Sequence, residues 1–263
     1  MKKRLLVSAA VIAVLVGISI AYSLPTAGQQ PAPQVQRSQV NVTRVKPDMV
    51  DEFIDFQIKQ TVPALKKAGV PRRDLYQSTL GPLYEFRSIT PITNLADRDT
   101  VASPIEKALG AAGYKEYNAA VRKLITSQQT YVTQSIADAS YDPNPNAAYK
   151  ILVLSVNRIA PGRNGEYMNY LKNDLLPVEK KAQVKRWLVS QVVYGGDRDE
   201  YRLAWFVDKF AGLDSGTATE RVLGVDGAVK MREKVAGIVR TSDRSVYMLI
   251  EAASYRAAKS STN

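Results

Sequence analysis

The chain of 263 residues has no cysteine and no histidine. Without cysteine there is no disulfide framework, no thiolate nucleophile and no zinc–thiolate site. Without histidine it lacks the usual general base near neutral pH, the commonest metal ligand and the usual proximal haem ligand. A Ser-His-Asp triad is impossible for the same reason. No Gly-x-Ser-x-Gly motif occurs. Gly110 with Gly113, and Gly224 with Gly227, lack the pattern and the Lys-Ser/Thr ending of a phosphate loop. Carboxylate, tyrosine and arginine chemistry remain.

What is present is an ordinary folded composition, 45% hydrophobic and 23% charged, which argues against wholesale disorder. The net charge of +11 is unevenly placed. Residues 41–149 carry 13 Lys/Arg against 12 Asp/Glu, whereas residues 150–263 carry 19 against 13. The excess is interspersed with acidic residues, so it reads as a soluble basic face and not as a nucleic-acid surface.

Lys2, Lys3 and Arg4 precede an uncharged run from Leu5 to Leu24. This has the form of a secretory leader, or of a membrane anchor if it is retained. The segment 25–38, rich in Pro, Gln and Ala, predicts an extended linker. The folded part is therefore expected outside the cytoplasm, periplasmic or secreted, touching a membrane only through an uncleaved N-terminal segment.

The rest of the chain repeats itself. Arg44-Val45-Lys46-Pro47 returns 114 residues later as Arg158-Ile159-Ala160-Pro161. Glu52-Phe53, Val62-Pro63 and Lys66-Lys67-Ala68 return at the same offset as Glu166-Tyr167, Leu176-Pro177 and Lys180-Lys181-Ala182. Further on, Glu85-Phe86-Arg87 matches Glu200-Tyr201-Arg202 at offset 115. Each copy reads strand, helix, strand, strand, helix, strand, the ferredoxin-like order. Asp48 is a plausible helix N-cap, Pro63 and Pro177 predict a kink or a restart in the first helix of each copy, and the paired glycines predict a break before the second. Repeats at 39–140 and 150–255 follow, with a hinge at 141–149 and a tail at 256–263. Apolar residues on both sides of the strand around Trp205 call for a second sheet as cover.

These features resemble the dimeric α/β-barrel superfamily, which includes antibiotic-biosynthesis-monooxygenase-like and NIPSNAP-like domains. The resemblance rests on the strand ending Arg-Val-Lys-Pro, the helix with Glu-Phe and an internal Val-Pro, and the Glu-Phe-Arg strand. It implies two ferredoxin-like units packed sheet to sheet, here within one chain as a pseudo-dimer, with pockets between each sheet and its helices. It also implies a range of activities, from cofactor-free oxygenases and isomerases to haem enzymes. The haem enzymes of the superfamily rely on a histidine that this chain lacks.

The candidate ligand-binding residues are Arg44, Tyr84, Glu85, Arg87, Arg158, Glu200, Tyr201, Arg202 and Trp205. On a strand, Glu85 and Arg87 share a face, as do Glu200 and Arg202, with Phe86 and Tyr201 opposite. The arginines could bind a carboxylate, or form same-face ion pairs of purely structural value. Tyr84, Tyr194, Tyr201 and Trp205 could stack a planar ligand, although strand aromatics are more often core. The preferred reading is an exported protein that binds a small apolar or aromatic molecule or serves a structural role, monomeric, without cofactor, metal or nucleic-acid partner, and without His- or thiol-based catalysis. The alternatives are a cofactor-independent oxygenase or isomerase, and an envelope interaction module using the basic second repeat.

Overall fold

The computed structural model describes residues 36–257, apart from 93–94, 100–102 and 146. The expected leader, most of the linker and most of the tail lie outside the described residues. Among those described, no helix is long and apolar enough to cross a membrane.

In the first half, β1 (Arg37–Val45) leads into α1 (Val50–Phe56), a five-residue π-helical turn (Gln57–Thr61) and α2 (Val62–Lys67). β2 (Arg72–Leu80), β3 (Glu85–Ile92), α3 (Pro104–Leu124) and β4 (Ile125–Ser135) follow. The second half repeats the order with β5 (Ile151–Ile159), α4 (Asn164–Tyr170), a π turn (Leu171–Leu175), α5 (Leu176–Lys181), β6 (Trp187–Tyr194), β7 (Glu200–Val207), α6 (Ala218–Glu233) and β8 (Val239–Leu249). A short β9 (Tyr255–Arg256) pairs with Arg72 and Arg73 of β2, so the chain end returns to the first half.

Eight strands close into an antiparallel barrel, ordered β3-β1-β4-β6-β7-β5-β8-β2 and shut by the β2–β3 pairing. The two halves meet where β4 pairs with β6 and β2 pairs with β8. Registers repeat at the sequence offset: Thr43 faces Phe86 as Asn157 faces Tyr201, and Val40 faces Tyr131 as Leu154 faces Ser245. The pleat sends alternate side chains inward and outward. Tyr76, Leu152, Leu154, Phe206 and Tyr247 fill part of the interior, while Ile159, Tyr167, Leu171, Trp187, Val189 and Leu203 pack under the second-half helices.

One local expectation changes: Asp48 makes no side-chain cap, and Pro47–Met49 is a single 3-10 turn before α1. Pro63 lies in the first turn of α2, where the α-helix restarts after a π turn that loosens the hydrogen-bond ladder at a residue that can neither donate nor fit tightly. Pro177 is accommodated likewise. The glycine breaks are present: Gly110 and Gly224 interrupt α3 and α6 with φ of 73° and 72°, a region glycine enters without steric penalty.

Candidate active site

The π turn fixes the geometry of the first-half cavity. It sends Gln57 and Thr61 together into the space between α1–α3 and the outer face of β1–β3, where each is 5% exposed. The cavity is about 240 Å³. Arg73 on β2 enters from the sheet and is 2% exposed. Its guanidinium donates to Ser88 Oγ at 3.0 Å, to the Ala253 carbonyl at 2.6 Å and to Gln57 Oε1 at 2.5 Å. No carboxylate pairs with it among the described residues; the adjacent Asp74 is engaged by Arg72 and Arg256. Burial draws the Arg73 pKa down to about 10. A buried cation without a counter-ion carries a large desolvation penalty that an anion would offset.

Tyr117 on α3 shares a 2.8 Å hydrogen bond with Thr61, and burial pushes its phenol up, so it stays protonated at neutral pH. Gln39, Asn41, Thr43, Gln128 and Thr130 line the same wall as a hydrogen-bonded array: Thr130 and Gln39 donate to Asn41 Oδ1 at 2.8 and 3.0 Å, and Gln128 donates to Thr43. Arg98 reaches the rim and donates to Gln39. No Asp, Glu, His or Lys is among the described lining residues. These residues therefore offer positive potential and neutral donors, and no general base.

The matching positions in the second half are apolar. Trp187 stands where Arg73 does, Leu171 and Leu175 where Gln57 and Thr61 do, Leu203 for Ser88 and Met231 for Tyr117. All five are buried in one packed core. Trp187 even repeats the Arg73 contact, its indole donating to the Ala139 carbonyl at 3.0 Å as Arg73 does to that of Ala253. The deep cavity belongs to one half.

The residues singled out from the sequence lie elsewhere. Glu85, Arg87, Arg158, Glu200 and Arg202 face the barrel interior around a cavity of about 620 Å³. They largely satisfy one another. Arg87 pairs with Glu85 at 2.9 Å and donates to the Tyr247 and Tyr131 hydroxyls; Arg202 pairs with Glu200; Arg158 bridges Glu200 at 3.2 Å and Asp243 at 3.5 Å. Arg202 lies 4.0 Å from the Tyr131 ring centroid. Arg44 is exposed at the end of β1, and Tyr84 is exposed in the β2–β3 turn with φ of 58°. Tyr201 is buried edge-on against Tyr167, and Trp205 packs on Trp187 at the floor of a second-half cleft. Arg73, Gln57, Thr61, Ser88 and Tyr117 are not evident from motifs shared by the two halves; their signal in the sequence is a polar residue matched to an apolar one.

The described residues offer no free axial ligand for a haem: the second-half cleft, about 760 Å³, has no His, Cys, Met or Tyr in its described lining, the first-half cavity, which has Tyr114 and Tyr117, is too small, and in the barrel interior the Tyr131 and Tyr247 hydroxyls are taken up by Arg87 and Glu85. Among the described residues no three His, Cys, Asp or Glu side chains converge as a metal site requires.

No family model matches the chain. No curated protein matches it in sequence. Solved structures match in fold. An anthrone oxidase-like protein superposes with a TM-score of 0.59 at 11% identity, covering 86% of this chain and 95% of its own. A candidate monooxygenase from Fusobacterium nucleatum gives 0.56 at 12%, covering 82% and 93%. A candidate chlorite dismutase gives 0.54 at 12%, covering 84% and 97%. The chain thus has the monooxygenase-like α+β barrel fold. The expectation of a non-catalytic binding or structural protein is corrected accordingly: the solved proteins that share the fold carry the names of enzymes, and the first-half cavity is built around a buried charge that a structural core would not need.

Proposed function

We propose that the chain is a cofactor-independent oxygenase acting in the first-half cavity on a small molecule that reacts as its anion. The observation that carries this is the fully buried Arg73, which has no carboxylate partner among the described residues and faces a cavity whose other described lining residues are neutral apart from Arg98 at the rim. A cavity of roughly 150 Å³ takes one benzene, so about 240 Å³ suits a compact fused-ring molecule. Isomerisation needs a base fixed beside the substrate to take a proton from one carbon and return it to another, and the described lining offers none. Oxygenation needs only the anion, whose proton is released to solvent, and dioxygen. For a ring-flanked methylene, conversion of CH2 to C=O by one O2 with release of one water balances without any added reductant.

In this reading Arg73 lowers the substrate's pKa by binding its oxyanion, Gln57 and Ser88 hold the guanidinium, and Tyr117 donates a hydrogen bond from its protonated phenol. Such preorganised donors are worth on the order of 100- to 1000-fold in rate each. The test is oxygen uptake by the full chain with anthrone: the expected result is one O2 consumed per anthrone lost, reduced at least 100-fold in Arg73→Met and partly restored in Arg73→Lys. Uptake equal in wild type and Arg73→Met would overturn the assignment.

The same reading takes the two halves as copies of one ferredoxin-like unit closing as a pseudo-dimer within a monomer, the second copy having its cavity filled. Repetition of every strand register at the 114–115 offset supports it. Native mass spectrometry should find a single chain. Export rests on the N-terminal segment, and N-terminal sequencing of the protein from its own host would show whether the leader is removed.

A further inference from the structure

The basic surplus of the second half is not spread evenly. Lys185, Arg186, Lys209, Arg221 and Arg244 line one cleft of about 760 Å³ between β5, β7, β8 and the start of α6. Lys185 is paired with Asp208 and Arg186 with Asp142. Lys209, Arg221 and Arg244 have no ion pair among the described residues. Arg221 donates to the Gly216 carbonyl at 2.9 Å, and Arg244 donates to Ser155 Oγ at 3.0 Å while lying 5.1 Å from the Trp205 ring centroid. Against them stands Glu220, already taken up as acceptor in the Thr217 capping box of α6. The floor is apolar: Val153 and Val246 are buried there beside Trp205 and Leu213.

The cleft sits where the mouth of the first-half cavity sits. Val153, Trp205 and Arg244 occupy the positions of Gln39, Thr90 and Thr130. An apolar floor and a cationic wall have replaced a polar array, while the space beneath is closed by Trp187, Leu171 and Met231.

We propose that this cleft is a second ligand site, taking a monocarboxylate that carries an apolar chain or ring. The chain lies on Val153, Trp205 and Val246, and the carboxylate is held between Arg244 and Arg221. The planar guanidinium fork matches a carboxylate's two oxygens, which a neutral head group cannot satisfy. A volume of this size is within the range of small-molecule sites. The site is independent of the oxygenase reading, since Arg73 lies in the other half.

The test is isothermal titration of the full chain with decanoate, with decanol and acetate as controls. Decanoate should bind one per chain, at least ten-fold more tightly than decanol, with acetate not detectably bound and with affinity falling as salt is raised. Arg244→Gln and Arg221→Gln should each weaken decanoate about ten-fold and leave decanol unchanged. Both positions are exposed, so either variant alone suffices if the other folds poorly. Arg73→Met should bind decanoate as wild type does. Equal binding of decanol and decanoate, an unchanged affinity in both glutamine variants, or loss of binding in Arg73→Met would each overturn the proposal; the last would place the carboxylate in the first-half cavity.

Discussion

Glu179 gives the protein a pH-dependent stability that a single substitution should abolish. This α5 residue is 1% exposed, and its Oε2 has no hydrogen-bond partner. Burial pushes the carboxyl from its ordinary 4.5 up to about 7, against the smaller opposing effects of the Trp205 indole, Arg221 and Arg244. Between these two values the folded protein keeps a proton that the unfolded chain has released. Stability therefore falls as pH rises through this window and levels off above about 7. At about 1.4 kcal/mol per pKa unit the loss is about 3 kcal/mol. No histidine competes in the window. The other shifted groups are carboxylates held low, raised tyrosines, and arginines. In Glu179→Gln the amide nitrogen inherits a place without a partner, a penalty of about 1–3 kcal/mol, but that penalty is the same at every pH. Urea unfolding at pH 5 and pH 8 separates the two effects. Wild type should lose about 3 kcal/mol between them, and Glu179→Gln less than about 0.5 kcal/mol. A wild type equally stable at both pH values, or a variant that drops as wild type does, would refute the reasoning.

Other consequences are simpler to check. Gly195 has φ of 79°, and a Cβ there would lie 2.5 Å from the Thr130 carbonyl across the β4–β6 seam; Gly195→Ala should lower stability by at least about 1–3 kcal/mol in urea unfolding. Thr217 caps α6 with a reciprocal Glu220 contact, so Thr217→Ala should remove about 1 kcal/mol. Tyr117→Phe removes one donor from the first-half cavity while keeping the ring that packs against Phe56; oxygen uptake should fall about 100-fold with little change in unfolding midpoint.

Much of the barrel was legible because the same short motifs and element order occur in both halves. The recurrence of Val-Pro, Glu-aromatic-Arg and the paired glycines marks the helix that needs a π turn, the inward ion pairs and the helix breaks, all of which recur in space. The same recurrence draws attention to the ion pairs of the barrel interior and away from Arg73. Glu85 with Arg87 and Glu200 with Arg202 are kept in both halves because they neutralise each other inside the barrel. Arg73 was invisible alone: an arginine in Arg-Arg-Asp at a strand start reads as surface. Only the pleat, which sends Arg73 into the first-half cavity while Arg72 and the equally buried Asp74 pair on the other face, reveals it. The polar-for-apolar pairs Gln57/Leu171, Thr61/Leu175 and Tyr117/Met231 carried that information in the sequence, and their meaning depends on knowing that these three positions converge with Arg73. The π turn itself is a tertiary accommodation of proline that no local pattern distinguishes from a kink.

The central claim is that the first-half cavity stabilises an anion through Arg73. 4-Nitrophenol tests it without knowledge of the natural substrate, because its phenolate absorbs in the visible and its ionisation on the protein can be titrated directly. The bound phenol should ionise at least one pH unit below the free compound in wild type, a shift lost in Arg73→Met and retained in Arg244→Gln. A bound phenol that ionises at or above the free value in wild type would contradict the claim.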